Sequence, residues 1–244
     1  MPRRAACSCV ATLAAAAALG LAGRSVAAAP APPSTFSEVV VQPGDRRLTV
    51  ALPAGFTTAA PSPLVVVLHY AGTVTPFSGK NVLALLVEPA LRDLGAVMVA
   101  PDCPAADWTA AAAEDAVLGA VEYAKRTFKI DPARTLITGY SMGGTGAWFL
   151  AARHQDLFRA ALIVSGRPLA RADEIEWRIP LEVIHSRDDE RIPLKPTADA
   201  VAAMRARGAD VRLEVVDGLT HYQVAGFVRY LRAAVPWVRS AWGR

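Results

Sequence analysis

Apolar and polar positions along the chain form blocks that predict strands and helices in alternation. The run at residues 64–69 (LVVVLH) is almost continuously apolar, which is typical of a strand buried on both faces of a sheet. Helical periodicity predicts helices near residues 81–94 and at about 111–128. Further strand-like runs lie at 96–100, 134–138, 160–164, 181–184 and 211–216. This alternation predicts an α/β fold with a mostly parallel, doubly wound sheet and helices on both faces.

Two strand-like runs precede this alternation. Residues 38–42 and 46–52 are joined by Pro43-Gly44-Asp45, which is typical of a hairpin turn. Residues 28–37 are rich in proline and alanine and are predicted to form a disordered leader. The catalytic domain is therefore predicted to span residues 38–244.

The first 27 residues have the features of an export signal. Arg3 and Arg4 precede an apolar run at residues 10–22, which is too short to span a membrane and stay there. Small residues follow, and cleavage is expected after Ala27. The arginine pair leaves both the general and the twin-arginine export routes open. The sequence thus predicts an exported protein, periplasmic or extracellular, without a stable membrane anchor.

Removal of the predicted signal changes the charge balance. The chain has 26 Lys and Arg against 22 Asp and Glu, and loss of three arginines leaves 23 basic residues, a net charge of about +1. The sequence has neither a basic stripe with interleaved aromatics nor a Cys/His cluster at metal-ligand spacing, so no nucleic acid, metal or cofactor is expected. Cys103 is the one cysteine after the predicted cleavage site, which excludes an intramolecular disulfide.

A serine between glycines marks the point where a strand-like run meets a helix-like one. Ser141 lies in Gly-Tyr-Ser-Met-Gly, after residues 134–138 and before the helical pattern at 142–153. A sharp strand-to-helix turn leaves no room for a Cβ atom at Gly139 or Gly143 and exposes the serine hydroxyl above the sheet. Ser141 is therefore the predicted nucleophile.

A serine nucleophile needs a base, and His221 is the predicted one. In strand-turn-helix hydrolases the chain order is serine, acid, histidine, so His69 comes too early. His221 lies in a loop between the last predicted strand and a helix-like stretch at 227–238. His154 is expected to cap or pack at a helix end, and His185 is expected to end a strand.

The predicted acid lies in a charged turn that follows the strand at 181–184. Asp189 is preferred because Ile192-Pro193 resembles the apolar-proline step that is common three residues after the acid, and Asp188 is the alternative. The other charged residues of the turn, Arg187, Glu190 and Arg191, are expected to be solvated.

The tetrahedral oxyanion needs two hydrogen-bond donors. The backbone N–H of Met142, directly after the nucleophile, is the first candidate. The second donor is expected in the loop after residues 64–69, where the N–H of Ala71 is preferred over that of Tyr70.

These residues resemble the α/β-hydrolase superfamily and, within it, the secreted carboxylesterase and predicted-peptidase group, which includes feruloyl-esterase-like and polyhydroxybutyrate-depolymerase-like enzymes. The resemblance spans about residues 38–240 and is carried by four passages, at 63–69, 99–104, 129–144 and 179–185. It implies an α/β-hydrolase fold and a Ser-Asp-His esterase that acts on small-molecule or polymeric carboxylic esters. Tyr70 and Ser186 stand where relatives often have glycine, which leaves the shape of the acyl pocket open.

The sequence also predicts an open site. Larger relatives insert a lid where this chain has only the sixteen residues 165–180, too few for a substantial cap domain. An open site suits short acyl groups or the ends of bulky and polymeric esters, and Trp108 and Trp177 either line its rim or pack on the surface. Besides an exported serine esterase, two alternatives remain: a serine peptidase with the same triad, and a non-catalytic binding module. The oligomeric state cannot be inferred from the sequence.

Overall fold

The computed structural model describes residues 1, 29, 31–42, 44–73 and 75–243. The predicted signal peptide at residues 1–27 lies outside the described residues except for Met1. Within the described chain, eight strands form one sheet, and they are β1 Thr35–Val41, β2 Arg46–Leu52, β3 Ser62–Leu68, β4 Val97–Pro101, β5 Ile130–Tyr140, β6 Ala160–Val164, β7 Leu181–Ser186 and β8 Val211–Val216.

The strand order is β1-β2-β4-β3-β5-β6-β7-β8. Strand β2 pairs antiparallel with both β1 and β4, whereas the neighbouring pairs from β4 to β8 are parallel. The predicted mostly parallel α/β sheet is confirmed. Parallel strands end at one edge of the sheet, so the loops that follow β3, β5, β7 and β8 meet there.

The helices are α1 Gly79–Val82, α2 Glu88–Leu91, α3 Ala111–Phe128, α4 Met142–Arg153, α5 Leu194–Ala206, α6 Val228–Ala233 and α7 Val235–Trp242. A π-helical segment, Leu83–Val87, joins α1 to α2, and 3₁₀ turns occupy Arg92–Leu94, Ala172–Glu174 and Val224–Phe227. The stretches near 81–94 and 227–238 are therefore divided instead of forming single helices. In the second of these stretches, Pro236 lies in the first turn of α7, where its missing N–H removes no helical hydrogen bond.

The core has two layers, one on each face of the sheet. In β3, Leu64, Val66 and Leu68 belong to the layer covered by α3, α4 and α5. The alternate residues Val65 and Val67 belong to the layer under α1, α2, α6 and α7. All five side chains are fully buried, which explains why this strand lacks the polar alternation of a half-exposed one.

Strand β1 begins at Thr35, earlier than the predicted Glu38. Residues 35–37 of the predicted leader pair with β2, and Phe36 packs against the layer under α1 and α2. Upstream, the backbone N–H of Ser34 donates to the Glu88 carboxylate at 2.8 Å. This apolar anchor and the carboxylate partner account for the earlier start of the strand.

The segment between β6 and β7 carries a single 3₁₀ turn among its described residues, Ala172–Glu174. Among the described residues, this segment therefore forms no substantial lid domain, as the sequence predicts. In the described part of the chain, no helix has the length and apolar character needed to cross a membrane.

Candidate active site

Ser141 occupies a strained turn between β5 and α4. Its backbone has φ 58° and ψ −116°, a conformation that costs a non-glycine residue about 1–3 kcal/mol and persists only when the surroundings enforce it. A Cβ atom at Gly139 would lie 2.3 Å from the carbonyl oxygen of Gly143, and one at Gly143 would lie 2.0 Å from that of Leu68. Both positions therefore require glycine, and the close packing holds the turn in place.

The side chains of Ser141, His221 and Asp189 form a continuous hydrogen-bond chain. The Ser141 hydroxyl lies 2.8 Å from Nε2 of His221, and Nδ1 of His221 lies 2.8 Å from Oδ2 of Asp189. Because an ionised carboxylate only accepts hydrogen bonds, Nδ1 carries the proton of the neutral ring. Nε2 is then free to accept the serine proton.

The two adjacent aspartates have different surroundings. The side chain of Asp189 is fully buried, and its Oδ1 also accepts the backbone N–H of Ile192 at 2.7 Å. Asp188 is exposed and instead accepts the backbone N–H of Gly218 at 2.6 Å. The structure thus brings Asp189, and not Asp188, to the ring of His221.

Two side chains hold the backbone of His221. Its N–H donates to the Glu190 carboxylate at 3.0 Å, and its carbonyl accepts the Tyr140 hydroxyl at 2.5 Å. Burial raises the pKa of the Tyr140 hydroxyl, which therefore stays protonated and able to donate. The expectation that Glu190 is solvated holds only in part, since Glu190 is exposed but hydrogen-bonded to His221, and Tyr140 is a second residue that the sequence did not single out. The only sequence signals are their positions, directly after the candidate acid and directly before the candidate nucleophile.

The acid turn is tied to the histidine loop by further contacts. The Ser186 hydroxyl donates to the carbonyl of Leu219 at 2.6 Å, and Arg187 forms an exposed ion pair with Asp217 at 2.7 Å. Where relatives often have glycine, Ser186 thus supplies a direct link between the two loops. The expectation that Arg187 is solvated holds only in part, since it is exposed but paired.

His185 lies behind the candidate acid. Its Nε2–H donates to the carbonyl of Ile192 at 2.8 Å and lies 3.6 Å from Oδ2 of Asp189. Burial lowers the pKa of His185 below its ordinary value, which favours the neutral ring. As predicted, His185 lies in the strand β7, at its carboxyl end.

The residues that carry the candidate oxyanion donors, Met142 and Ala71, line one cleft together with Ser141. Met142 is the first residue of α4, and its N–H belongs to the first turn, which has no intrahelical acceptor. Ala71 lines both of the clefts that reach Ser141. The chain before it is fixed by His69, whose Nε2 accepts the N–H of Cys103 at 3.0 Å and whose carbonyl accepts the indole N–H of Trp108 at 2.9 Å.

Two clefts formed by the described residues open on Ser141. The first, here called the Thr109 cleft, encloses about 430 Å³ and is lined by Ala71, Asp107, Trp108, Thr109, Ser141, Met142, Thr145, Arg167, Arg191 and Ile192. The second, the Tyr222 cleft, encloses about 460 Å³ and is lined by Tyr70, Ala71, Leu85, Tyr140, Ser141, Arg191, His221, Tyr222 and Val224.

The two tryptophans considered for the rim differ in position. Trp108 is buried and contributes to the wall of the Thr109 cleft. Trp177 packs against Trp148 with ring centroids 6.0 Å apart, and its indole N–H donates to the carbonyl of Ala172. Of the two, only Trp108 lines the site.

Cys103 is buried, and its backbone N–H donates to the ring of His69, which precedes Ala71 in the chain. Burial raises the pKa of its thiol, which keeps the sulfur protonated and weakly nucleophilic.

Among the described residues, no group of three or more His, Cys, Asp and Glu side chains is arranged to hold a metal ion.

This chain matches the model of a known protein family over part of its length. The model of the dienelactone hydrolase family matches residues 104–233, more than half of the sequence. The matched region includes Ser141, Asp189 and His221.

The individual relatives have low sequence identity to this chain. Feruloyl esterase C of Emericella nidulans is 27% identical over 164 residues, which cover 66% of this chain and 61% of that protein. The chain spans about half the length of the curated relatives that it matches, from 44 to 61%.

Solved structures show the same fold. A thermostable esterase superposes with a TM-score of 0.68 at 22% identity, covering 84% of this chain and 62% of that one. A ferulic acid esterase superposes with a TM-score of 0.65 at 19% identity, covering 85% and 98%.

Proposed function

This chain belongs to the dienelactone hydrolase family of the α/β-hydrolase superfamily, and from that premise we propose that it is a serine esterase that cleaves carboxylic esters through an acyl-enzyme. The observation that carries the proposal is the hydrogen-bond chain from Ser141 through His221 to the buried Asp189. The strained turn at Ser141 supports it, because strain of this kind clusters at functional sites.

In the first step, Oγ of Ser141 attacks the ester carbonyl carbon while Nε2 of His221 takes the hydroxyl proton. The carbonyl π pair moves to the oxygen, and the resulting oxyanion is held by the N–H groups of Met142 and Ala71. Each such donor contributes about 2.7–4 kcal/mol of transition-state stabilisation in well-studied enzymes. Asp189 orients the ring and stabilises the imidazolium that forms.

In the second step, the oxyanion collapses and the bond to the alcohol oxygen breaks. His221 returns its proton to that oxygen, and the alcohol leaves. Water then attacks the acyl-enzyme with His221 again as base, and the acid departs with Ser141 restored. Over the whole cycle one ester and one water become one acid and one alcohol.

The substrate proposed for this site is a short-chain, small-molecule ester or the exposed end of a bulky or polymeric one. The support is the short connection between β6 and β7, which builds no substantial cap over Ser141.

We also propose that the protein is exported and that residues 1–27 are removed as a signal peptide. The arginine pair, the short apolar run and the small residues before Ala28 support this. Expression of the full chain in a bacterial host tests it. Mass spectrometry of protein recovered outside the cytoplasm should find an N-terminus at Ala28, and intact Met1 on that protein would contradict the proposal.

The esterase proposal is tested with a fluorophosphonate probe and p-nitrophenyl acetate. The wild type should be labelled at Ser141 and should lose activity in proportion to labelling. Ser141→Ala should abolish both signals, and the control Ser240→Ala, at an exposed serine of α7, should leave both unchanged. Label at another residue of the active protein would disprove the nucleophile. Faster turnover of peptide anilides than of esters would favour the peptidase alternative, and a folded protein without label or turnover would favour a binding module.

A further inference from the structure

The Thr109 and Tyr222 clefts meet at Ser141 but differ in their side chains. We propose that the Tyr222 cleft holds the alcohol part of the ester and selects an apolar, preferably aromatic alcohol, while the Thr109 cleft takes a short or polar acyl group. This inference depends on the proposed esterase function and adds the orientation of the substrate to it.

The position of His221 determines which cleft receives the alcohol. A leaving alkoxide must accept a proton from Nε2, so its oxygen lies on the histidine side of the reacting carbon. His221 lines the Tyr222 cleft and not the Thr109 cleft. Met142, which offers its N–H to the oxyanion, lines the Thr109 cleft. The alcohol therefore extends into the Tyr222 cleft and the acyl chain into the other.

The Tyr222 cleft is built to contact an apolar group. Its walls include the rings of Tyr70, Tyr140 and Tyr222 and the aliphatic side chains of Leu85 and Val224, and the charged Arg191 lies on both clefts. Leu85 is 45% exposed and Tyr222 is 73% exposed, and they are two of the four large exposed apolar or aromatic side chains among the described residues. An aromatic alcohol would cover both side chains and remove apolar surface from water.

The Thr109 cleft has charged walls of its own. Asp107 accepts hydrogen bonds from the N–H and the hydroxyl of Thr109, at 2.8 and 2.6 Å, and these bonds lower the pKa of its carboxyl. Arg167 lies on the same cleft. Asp107, Thr109 and Arg167 are exposed and offer hydrogen bonds to a polar acyl group, whereas a long alkyl chain would form none with them.

A pair of isomeric esters tests the orientation directly. Benzyl acetate and methyl phenylacetate contain the same atoms, but the aromatic ring belongs to the alcohol in the first and to the acyl group in the second. Benzyl alcohol and methanol have similar acidities, so the leaving groups are matched. We expect kcat/KM for benzyl acetate to be roughly tenfold or more above that for methyl phenylacetate, after each is normalised to its hydroxide-catalysed rate.

Variants of residues that line the Tyr222 cleft test whether this cleft causes the preference for an aromatic alcohol. Leu85→Ala and Tyr222→Ala should each lower kcat/KM for benzyl acetate more than kcat/KM for methyl acetate, which has no ring to place, by several-fold and up to about tenfold. Leu85 belongs to the π-helical segment and not to the loop that carries His221, so its variant remains informative if Tyr222→Ala disturbs His221. Val40→Ala, at an exposed apolar position of β1, is the matched control and should change neither substrate.

The outcomes separate this inference from the proposed function. Preference for methyl phenylacetate, equal rates for the two isomers, or equal losses with benzyl and methyl acetate in both variants would overturn the orientation while leaving the esterase intact. An enzyme that hydrolyses methyl acetate but neither isomer would overturn it as well. A protein that hydrolyses no ester and is not labelled at Ser141 would instead refute the proposed function.

Discussion

The carboxylate of Glu190 accepts the backbone N–H of His221 at 3.0 Å, so the residue after the candidate acid holds the main chain of the candidate base. On the other side, the Tyr140 hydroxyl donates to the carbonyl of the same histidine. Asp189 therefore orients the ring while Glu190 and Tyr140 fix the peptide groups on either side of its Cα. In the proposed mechanism Glu190 and Tyr140 are positioning residues, because they contact His221 and not the reacting atoms.

Removal of the Glu190 acceptor should slow catalysis without weakening binding. Glu190→Ala leaves the His221 N–H without its partner, and we expect kcat to fall roughly tenfold with KM nearly unchanged, because misplacement of the base affects the reaction more than substrate binding. Glu190→Gln keeps an oxygen acceptor and should restore most of kcat. Steady-state kinetics with p-nitrophenyl acetate measures both parameters.

The matched control is Glu176→Ala, at an exposed glutamate outside both clefts. If Glu190→Gln lost as much kcat as Glu190→Ala, the charge of Glu190 would matter and not its hydrogen bond. If neither variant differed from Glu176→Ala, the contact would have no catalytic role.

The two aspartates should differ in their effect on turnover. Asp189→Asn replaces the buried acceptor at Nδ1 of His221, which favours the wrong tautomer, and the corresponding change in the best-studied serine triad lowers kcat about 10⁴-fold. Asp188→Asn keeps an oxygen that can accept the N–H of Gly218, so a change below about threefold is expected. Steady-state kinetics of both variants, with circular dichroism to check folding, shows which aspartate is the acid of the triad. A larger loss in Asp188→Asn would move the acid to Asp188.

The parts of the site that the sequence could predict are those with local signals. Ser141 lies in a motif with a local requirement for glycine, because a Cβ at Gly139 would lie against the backbone of Gly143. Asp189 and His221 follow from chain order and from their positions after strands. The contacts of Glu190 and Tyr140 with His221 join residues 31 and 81 positions apart, and such pairings depend on how the loops fold over the sheet edge.

In the fold, too, the elements with a strong local signal were predictable, and those that depend on long-range contacts were not. Strand β3 and helix α3 were predictable because burial on both faces or along one stripe gives a strong periodic signal. Helix α5 was not predicted from the sequence, since only Thr197, Val201 and Met204 are buried along it and a proline lies in its first turn. The early start of β1 depends on tertiary contacts of Phe36 and Ser34, which no local pattern encodes.

The close approach of α4 to β3 predicts a sharp difference between two glycines. Gly143→Ala would push a methyl group to 2.0 Å from the backbone oxygen of Leu68, and backbone on both sides cannot move aside without distorting the turn. We expect destabilisation of more than about 3 kcal/mol, or failure to fold. Gly72→Ala, where an added Cβ meets nothing within 4 Å, should change the free energy of unfolding by less than about 1 kcal/mol. Urea denaturation compares the two, and equal stabilities would contradict the close contact.

The absence of a substantial lid predicts how the rate responds to a lipid interface. Activation at an interface requires a closed state that the interface opens, and the connection from β6 to β7 holds only a 3₁₀ turn among the described residues. A tributyrin titration should therefore show ordinary saturation across the solubility limit. A sharp rise in rate at that limit would mean that a loop closes over Ser141.

The two buried histidines, His69 and His185, predict that acid weakens the fold. Burial is the main cause that lowers the pKa of each below its ordinary value of 6.5. The charge of Asp102 opposes this lowering of the pKa at His69. At His185, the charge of Asp189 opposes the lowering of the pKa, and His221 adds to it. In the unfolded chain both rings take up protons as the pH falls through about 6.5, whereas the folded protein keeps them neutral until a lower pH. The unfolded state then binds more protons, so stability must fall as the pH decreases through this window.

We therefore expect the free energy of unfolding to decrease from about pH 7.5 to about pH 5.5, with each histidine contributing a slope of at most about 1.4 kcal/mol per pH unit. His185→Gln should lower stability at pH 7.5, because the packing around Asp189 changes, but it should also flatten the slope, because one titrating group is gone. Burial raises the pKa of Glu182, whose protonation in the folded state acts in the opposite direction. Glu182→Gln is thus the control, and in that background the slope should steepen or stay the same. Urea titrations at several pH values give the slopes, and an unchanged slope in His185→Gln would show that His185 does not stay neutral through folding.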